Sequence, residues 1–405
     1  MRSMNCTVNI ARDTWWLGAS DRRLARFENL FPLTRGVAYN SYLILDEKTV
    51  LLDTADWSVG RRFFENLAGL LNGRGLDYVV VHHMEPDHAA TLGQLLAAHP
   101  ETTVVCNAKT LAMINQFFAL PLEGRTQLVA EGGELCTGAH TLRFCMAPMV
   151  HWPEVMVSYD TLTGALFSAD AFGSFGALEG DIFTNKQDFA ANWLPEARRY
   201  YANIVGKYGA PVQALLKKAA GLDIRLVCPL HGPLWKEDID YLVGLYDTWS
   251  RYQPEERTVS VLYASMYGHT EAAALRLAQL LAERGVEGVT VHDVSGEDTS
   301  WLMAEVWRCS HLVLAAPTYN GGLYPKMENL LADMKALATQ NRTVALIENG
   351  SWAPAAAKVM RGELESLKNV TVLEPVVTIK SAVGPAQEQA LADLADALAA
   401  DLAKG

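Results

Sequence analysis

The chain has no Cys-x-x-Cys pair: its six cysteines, Cys6, Cys106, Cys136, Cys145, Cys228 and Cys309, are scattered along the whole length. That spacing excludes an internal rubredoxin centre or a local iron–sulfur cluster, and leaves reduced, mostly buried thiols as the ordinary reading. No window approaches about 18 consecutive apolar residues, so no transmembrane span is expected. The opening Met1-Arg2-Ser3-Met4-Asn5-Cys6 lacks the apolar segment of a secretion signal, which predicts a cytoplasmic protein. Basic residues are also scarce. Lys plus Arg number 34 against 46 Asp plus Glu, a net charge of −12. Nucleic acids and anionic membrane surfaces demand the opposite balance, so neither is an expected partner. Gly-x-Gly-x-x-Gly and a Gly-Lys-Ser/Thr ending are both missing, which disfavours a dinucleotide pyrophosphate or a nucleoside triphosphate as ligand.

What is present is a well-buried globular composition, 50% hydrophobic and 20% charged over 405 residues. That length exceeds one ordinary core and predicts two domains. Residues 1–252 mix short strands with helices. Strands are expected at 42–45 and 49–53 around the turn Asp46-Glu47-Lys48, then at 78–81, 103–106, 141–145, 155–158, 165–168 and 224–228, with helices at 61–71, 90–98 and 194–204. A polar, proline-interrupted linker, Arg251-Tyr252-Gln253-Pro254-Glu255-Glu256-Arg257, follows. Residues 258–405 alternate strictly, with strands at 259–263, 289–293, 311–316, 343–348 and 370–377 and helices that include 271–284 and 385–404. Such alternation predicts an α/β fold with a doubly wound parallel sheet.

The densest chemistry lies in Val80-Val81-His82-His83-Met84-Glu85-Pro86-Asp87-His88. Two imidazoles and two carboxylates crowded behind an apolar strand would each carry a desolvation cost unless a cation offsets it. Three further candidates repeat the placement: His151 after the strand at 141–145, Asp170 after 165–168 and His231 after 224–228. Any one of these alone would be an ordinary polar residue. Together, loops trailing rigid strands can converge on one rim. Seven donors exceed one tetrahedral ion, so two metals are expected: one on His83, Glu85 and His151, the other on Asp87, His88 and His231, with Asp170 bridging. His88 can ligate or stand behind a ligand. His82, His99 and His140 have no comparable setting and read as structural.

The pattern resembles the metallo-β-lactamase superfamily, whose hydrolases carry His-x-His-x-Asp-His, except that Glu85 occupies the middle position. A hard anionic ligand there favours iron over zinc. With this departure, the run from Asp87 through His151 and Asp170 to His231 is similar to that of the flavodiiron proteins. The resemblance implies an N-terminal metallo-β-lactamase-like αββα sandwich carrying two Fe ions and a C-terminal flavodoxin-like domain carrying FMN.

The second half supports this. Ala264-Ser265-Met266-Tyr267-Gly268-His269-Thr270 precedes a helix and offers hydroxyls and backbone N–H groups to a phosphate. It resembles the flavodoxin phosphate loop. Pro317-Thr318-Tyr319-Asn320-Gly321-Gly322 follows the third strand and Asn349-Gly350-Ser351-Trp352-Ala353-Pro354 the fourth. In a flavodoxin-like order these loops meet at the switch point of the sheet, with Tyr319 and Trp352 placed to flank a flavin ring.

Two ferrous ions and a reduced flavin hold four electrons, enough to reduce O2 to water, while two suffice to couple two NO into N2O. The resemblance implies this activity, an external electron donor such as rubredoxin, and a head-to-tail homodimer or dimer of dimers. Because the chain is acidic overall, a docking patch for an acidic donor would have to be local. Trp152, Phe172-Gly173-Ser174-Phe175, Tyr200 and Tyr201 are candidates for the pocket around the metals. The alternatives are a zinc hydrolase with an appended flavodoxin module and a non-enzymatic electron carrier.

Overall fold

The computed structural model describes residues 6–404. The opening segment 1–5, on which the absence of a secretion signal rests, lies outside them, as does Gly405. Two compact units divide the chain. The first runs up to Tyr201 and over Ala210–Asp247; the second comprises Ala202–Gly209 and everything from Thr248 onward. Among the described residues no helix is long and apolar enough to cross a membrane.

The first unit contains a seven-stranded and a five-stranded sheet. In the larger sheet, Tyr42–Leu45 and Thr49–Leu52 form an antiparallel hairpin, after which Tyr78–Val80, Thr103–Cys106 and Thr126–Leu128 add in parallel. In the smaller, Glu134–Cys136, Thr141–Met146, Met156–Asp160 and Ala165–Phe167 run antiparallel, and Leu226–Cys228 closes the edge in parallel. One apolar core joins both sheets: Ile44, Val50, Leu52, Val80 and Val105 of the first with Leu142, Phe144, Met156, Phe167 and Leu226 of the second. Strand 141–146 shows why the pattern specifies its face. Leu142 and Phe144 are buried while Arg143 between them is exposed, the alternation of a half-covered antiparallel strand.

Several boundaries differ from the sequence expectation. The strand expected at 224–228 shortens to Leu226–Cys228, because the Arg225 and Leu226 amides both donate to the Gly164 carbonyl at the preceding turn. The helix expected at 90–98 starts at Leu92, and two helices follow one another here, Pro86–Ala89 and Leu92–Ala98. The first begins inside the metal-ligand motif, with Pro86 at a helix start that tolerates proline. Val8–Ala11, Thr14–Trp16, Ala19–Asp21 and Val37–Tyr39 form strands that the sequence did not announce.

The second unit is a parallel sheet in the order Thr290–Asp293, Glu256–Tyr263, Cys309–Tyr319, Arg342–Asn349, Val370–Ile379. Both faces are covered, so its strands are apolar at consecutive positions rather than alternate ones. Val259, Val261, Val313, Ala315, Ala345 and Ile347 pack against Leu277 and Leu281 of helix His269–Glu283 and Leu391, Leu394 and Leu398 of helix Pro385–Leu402. The strand starts at Glu256, inside the expected linker. The order reverses beside the first strand, so the carboxyl ends at Tyr263, Tyr319 and Asn349 open onto the crevice where such sheets take ligands.

In the first unit, His82 ties the two sheets together. Its Nδ1–H donates to Asp53 Oδ2 at 2.6 Å, its amide donates to Asp53 Oδ1 at 2.8 Å, and Nε2 faces Ser158 Oγ at 2.8 Å. The ring is fully buried and aimed at the core. His82→Ala leaves Asp53 Oδ2 buried without its imidazole donor and lowers unfolding stability by about 3 kcal/mol in a urea titration. Metal content per folded molecule stays unchanged; parallel loss of metal would make His82 a ligand instead.

Candidate metal centre and flavin cavity

Each candidate metal ligand hangs from the carboxyl end of a strand. Tyr78–Val80 leads to His83, Glu85, Asp87 and His88; Thr141–Met146 leads to His151, Ala165–Phe167 to Asp170, and Leu226–Cys228 to His231. Their donor atoms gather in two groups, His83 with Glu85, His151 and Asp170, and Asp87 with His88 and His231. In the first, His151 Nε2 lies 3.1 Å from both Glu85 Oε2 and Asp170 Oδ2, and His83 Nε2 lies 3.3 Å from each. In the second, Asp87 Oδ2 is 3.1 Å from His231 Nε2 and 3.4 Å from His88 Nε2. Asp170 faces both groups. Its Oδ2 belongs to the first, while Oδ1 stands 3.1 Å from His88 Nε2 and 3.7 Å from His231 Nε2. His88 therefore turns its Nε2 into the cluster.

The chemistry of this donor set fits cations. Asp87 Oδ1 and Oδ2, both ring nitrogens of His88, Asp170 Oδ1 and His231 Nε2 are buried and form no hydrogen bond among the described residues. Such atoms are rare in folded proteins and need a partner of another kind. They approach one another closely, yet without hydrogen-bond alignment, as lone pairs do when aimed at a shared point. Oxygen and imidazole donors with no thiolate suit a hard or borderline ion.

Behind these donors stand groups that fix their tautomers. His83 Nδ1–H donates to Glu154 Oε1 at 2.8 Å, and the Met84 amide donates to the same oxygen at 2.9 Å. His231 Nδ1–H donates to the Ala38 carbonyl at 2.8 Å. Both arrangements commit Nδ1 to its partner and turn Nε2, the nitrogen a metal would use, toward the cluster. Glu154 and Ala38 were not singled out in the sequence. Glu154 sits only three residues from His151, but nothing in its setting distinguishes it from a surface carboxylate. The backbone beside the ligands is strained: Met149 and Ala169, neither a glycine, have φ of 65° and 51°. Such positions persist where the surrounding structure over-determines them.

Electrostatics couples the set. Burial works against protonation of His83, but the charge of Asp170 and hydrogen bonds to Asp170, Glu154 and Glu85 outweigh it and hold its pKa well above the usual histidine range. Burial likewise opposes His88 and His151, yet nearby carboxylates push both up to about 9. Asp170 resists its own burial through the charges of His88 and His83 and stays well below the carboxylate range. Another carboxylate, Glu28, is pushed up to about 8, first by desolvation, then by a hydrogen bond to Glu85 and by its charge. The sequence gives no sign of Glu28, which sits on a turn where Glu28 and Asn29 both have positive φ.

Around the cluster the walls are aromatic. The rings of Phe27, Tyr39 and Tyr200 approach His231 at 5.2, 5.7 and 5.6 Å, and Trp152 meets His83 edge-on at 5.3 Å. Phe175 packs on Tyr200 at 5.1 Å. The Tyr200 hydroxyl is buried without a hydrogen-bond partner among the described residues, and Tyr201 packs on Tyr246 at 5.0 Å. Gly173 is needed for close approach: a Cβ there would lie 2.9 Å from Tyr200 Cε1. The Phe172 amide donates to Tyr246 Oη at 2.6 Å, holding this loop down.

In the second unit the three expected loops line one cavity of about 470 Å³, within the range of small-molecule and cofactor sites. Ser265, Met266, Tyr267, His269 and Thr270 come from the first; Pro317, Thr318, Tyr319, Asn320 and Gly321 from the second; Asn349, Gly350, Ser351, Trp352 and Ala353 from the third. Gly268 and Gly322 do not face the cavity. Gly268 instead adopts φ 85° as the helix begins, its amide donating to Ser265 Oγ at 3.0 Å. The second loop is a hairpin rather than an open loop. Strand Cys309–Tyr319 continues to Tyr319, which pairs with Gly322 across Asn320-Gly321, both with positive φ; Asn-Gly is the favoured sequence for that turn. Ser381, absent from the sequence-based set, lines the cavity and holds Asn349 through its amide and carbonyl at 3.1 and 3.0 Å. Trp352 and Tyr267 are 93% and 88% exposed at the rim. Aromatic faces beside a hydroxylated helix N-terminus form a cradle suited to a planar ring carrying a phosphate.

Known proteins share this architecture. Residues 37–232 match the family model described as ODP family beta lactamase, and residues 261–398 match the flavodoxin model. The anaerobic nitric oxide reductase flavorubredoxin of Escherichia coli is 30% identical over 364 residues, covering 89% of this chain and 75% of that protein. An uncharacterized protein of Methanocaldococcus jannaschii is 28% identical over 93% of both chains. Among solved structures, the rubredoxin:oxygen oxidoreductase of Desulfovibrio gigas is 26% identical with a TM-score of 0.89 over 98% of each chain. The flavodiiron protein of Giardia intestinalis shares the fold, with 23% identity and a TM-score of 0.92 over 100% of this chain and 99% of that one. With both halves matched in order, and with this identity to the flavorubredoxin over most of its length, the chain belongs to the flavodiiron proteins.

Proposed function

We propose that the chain reduces O2 to water, NO to N2O, or both, at a non-haem diiron centre fed by FMN, with electrons from an external carrier such as rubredoxin. The observation that carries this reading is Asp170, whose two oxygens face two separate groups of buried nitrogen and oxygen donors. His83, Glu85 and His151 would hold one ion, Asp87, His88 and His231 the other, and Asp170 both. The cavity between Ser265–Thr270, Tyr319 and Trp352 would hold the flavin. When bound, two ferrous ions and a reduced flavin supply the four electrons that O2 needs or the two that a pair of NO molecules needs.

The residues themselves account for the rest of the chemistry. Glu154 and the Ala38 carbonyl hold His83 and His231 with Nε2 presented, so their rings do not reorient during turnover. Phe27, Tyr39, Phe175 and Tyr200 keep bulk water from the cluster, which strengthens every charge interaction inside it. Burial and the nearby carboxylates push Tyr200 well above the tyrosine range. It keeps its proton and is a hydrogen-bond donor for a small molecule in the pocket. Glu28, whose pKa is raised by desolvation and by its hydrogen bond to Glu85, stands beside the cluster as a proton carrier suited to reductions that consume protons.

A head-to-tail homodimer or dimer of dimers, and a cytoplasmic setting in which Cys6, Cys106, Cys136, Cys145, Cys228 and Cys309 remain free thiols, complete the proposal. The hydrolase alternative is disfavoured by Glu85 and by the flavorubredoxin and oxygen oxidoreductase relatives.

Purified active protein should contain iron and FMN and consume O2 or NO when reduced; two zinc ions, no iron and no gas consumption would revive the hydrolase. His231→Ala should abolish gas consumption while the flavin still accepts electrons, and undiminished consumption would sink the diiron assignment. Glu154→Gln should weaken metal binding about 10–100-fold with the fold retained by circular dichroism. Metal binding must displace protons from His88 and His151, whose pKa values near 9 stand above the usual histidine range. Apparent affinity for a redox-stable ion such as Co2+ should therefore rise from pH 7 through about 9, with proton release on binding. A flat profile over that interval would contradict the coupling.

A further inference from the structure

The strand that leads into the third loop of the flavin cavity ends on a buried acid. Within Arg342–Asn349 the run Val344-Ala345-Leu346-Ile347 is apolar and fully buried, and Glu348 after it is only 8% exposed. Glu348 Oε1 accepts the Thr378 hydroxyl at 2.8 Å, and Oε2 accepts the Ala357 amide at 3.0 Å. No lysine or arginine pairs with this side chain among the described residues. Both of its oxygens are acceptors, as those of an anionic carboxylate are. An acid taken out of water without a cation is costly, and such a residue needs a physical reason.

Part of that reason is the next helix. Ala356–Leu364 starts after Ala355, which has no side-chain cap to offer, and carries no acid in its first turn. Two neighbouring strands supply what it lacks. Thr318 Oγ1 accepts the Ala355 and Ala356 amides at 2.9 and 3.2 Å, and Glu348 takes the next amide, that of Ala357. Thr318 lines the flavin cavity, as does Asn349, the residue after Glu348. The carboxylate therefore stands one peptide unit behind the cavity wall. Loop 349–354, which carries Trp352, is thus held at its far end by Thr318 and Glu348. At its near end Asn349 grips Ser381, and in between it closes tightly: a Cβ on Gly350 would lie 2.7 Å from Pro354 Cα.

We infer that Glu348 sets the redox balance of the flavin: its fixed negative charge behind the cavity wall biases bound FMN toward the oxidised form. The inference rests on the assignment of FMN to this cavity. FMN with two electrons and one proton gives FMNH−, so reduction adds one negative charge to the ring. A carboxylate that no cation balances disfavours this product more than the neutral ring it comes from. Its burial limits screening by water and salt. The helix N-terminus that holds the carboxylate offers only about half a unit of positive charge, so it does not cancel the effect. A flavin poised in this way hands its electrons on instead of storing them.

The test measures the flavin potential of the iron- and FMN-loaded protein by reductive titration against a reference dye. Affinity for oxidised FMN is read separately from fluorescence quenching. Glu348→Gln removes the charge but keeps an oxygen for the Ala357 amide. It should tighten reduced relative to oxidised FMN about tenfold, a rise of about 30 mV for a two-electron couple. Its affinity for oxidised FMN should stay within about threefold of wild type, because the loop remains braced. Glu348→Ala should raise the potential by as much and, without the brace, bind oxidised FMN about tenfold more weakly. Glu287→Gln makes the same charge change on an exposed residue at the amino end of the strands, and should leave the potential where it was. A potential unmoved in both Glu348 variants, or moved equally by Glu287→Gln, would overturn the inference. So would a shift in the alanine variant alone, since the brace and not the charge would then set the balance. Failure of the folded wild-type chain to bind FMN would instead defeat the flavin assignment.

Discussion

Mutual neutralisation of buried charge is the constraint on which the first unit depends. Three carboxylates and four imidazoles share one rim of a sheet sandwich, and several of their atoms make no hydrogen bond among the described residues. Taking unpaired carboxylates out of water costs several kcal/mol each, so this arrangement requires positive charge among them. Protons on His83, His88 and His151 meet the demand in the bare chain, as the raised pKa values show. In the proposed holoprotein, cations take over that role. The strained backbone at Met149 and Ala169, the carboxylate of Glu154 and the carbonyl of Ala38 all hold donors at positions they would not otherwise keep.

Much of this was legible in the sequence because the chemistry is local there. His83, Glu85, Asp87 and His88 fall within six positions, and the remaining three candidates each trail an apolar strand, so sheet geometry brings them to one rim. The parallel sheet of the second unit was legible for a similar reason: five apolar runs separated by helical segments leave few topologies. The supporting groups were not legible. Glu154 reaches His83 across 71 positions and Ala38 meets His231 across 193, and no local pattern marks a residue that acts only through another. The strands at 8–11, 14–16 and 19–21 are too short to display a period. The Asn320-Gly321 turn carried a readable hairpin signal, but the strand returning from it, Gly322–Leu323, is too short to show a pattern.

Composition proved a poor guide to surface chemistry. A net charge of −12 describes the whole chain, but Arg22, Arg23, Arg61 and Arg62 come from two distant segments that folding places around one groove. An average over 405 residues cannot register such a local reversal of sign. The cavity of the second unit teaches the same lesson for apolar surface, since Trp352 and Tyr267 stand almost fully exposed in a protein whose other large side chains are mostly buried.

Asp170 has one more consequence. On the proposed reading a single carboxylate serves both halves of the centre, so setting its rotamer for one ion fixes its second oxygen for the other. The first cation to arrive meets the ordering cost of a ligand that its neighbour also uses. Loading should therefore be cooperative, with half-filled molecules scarce at any metal concentration and iron lost, when it is lost, in pairs.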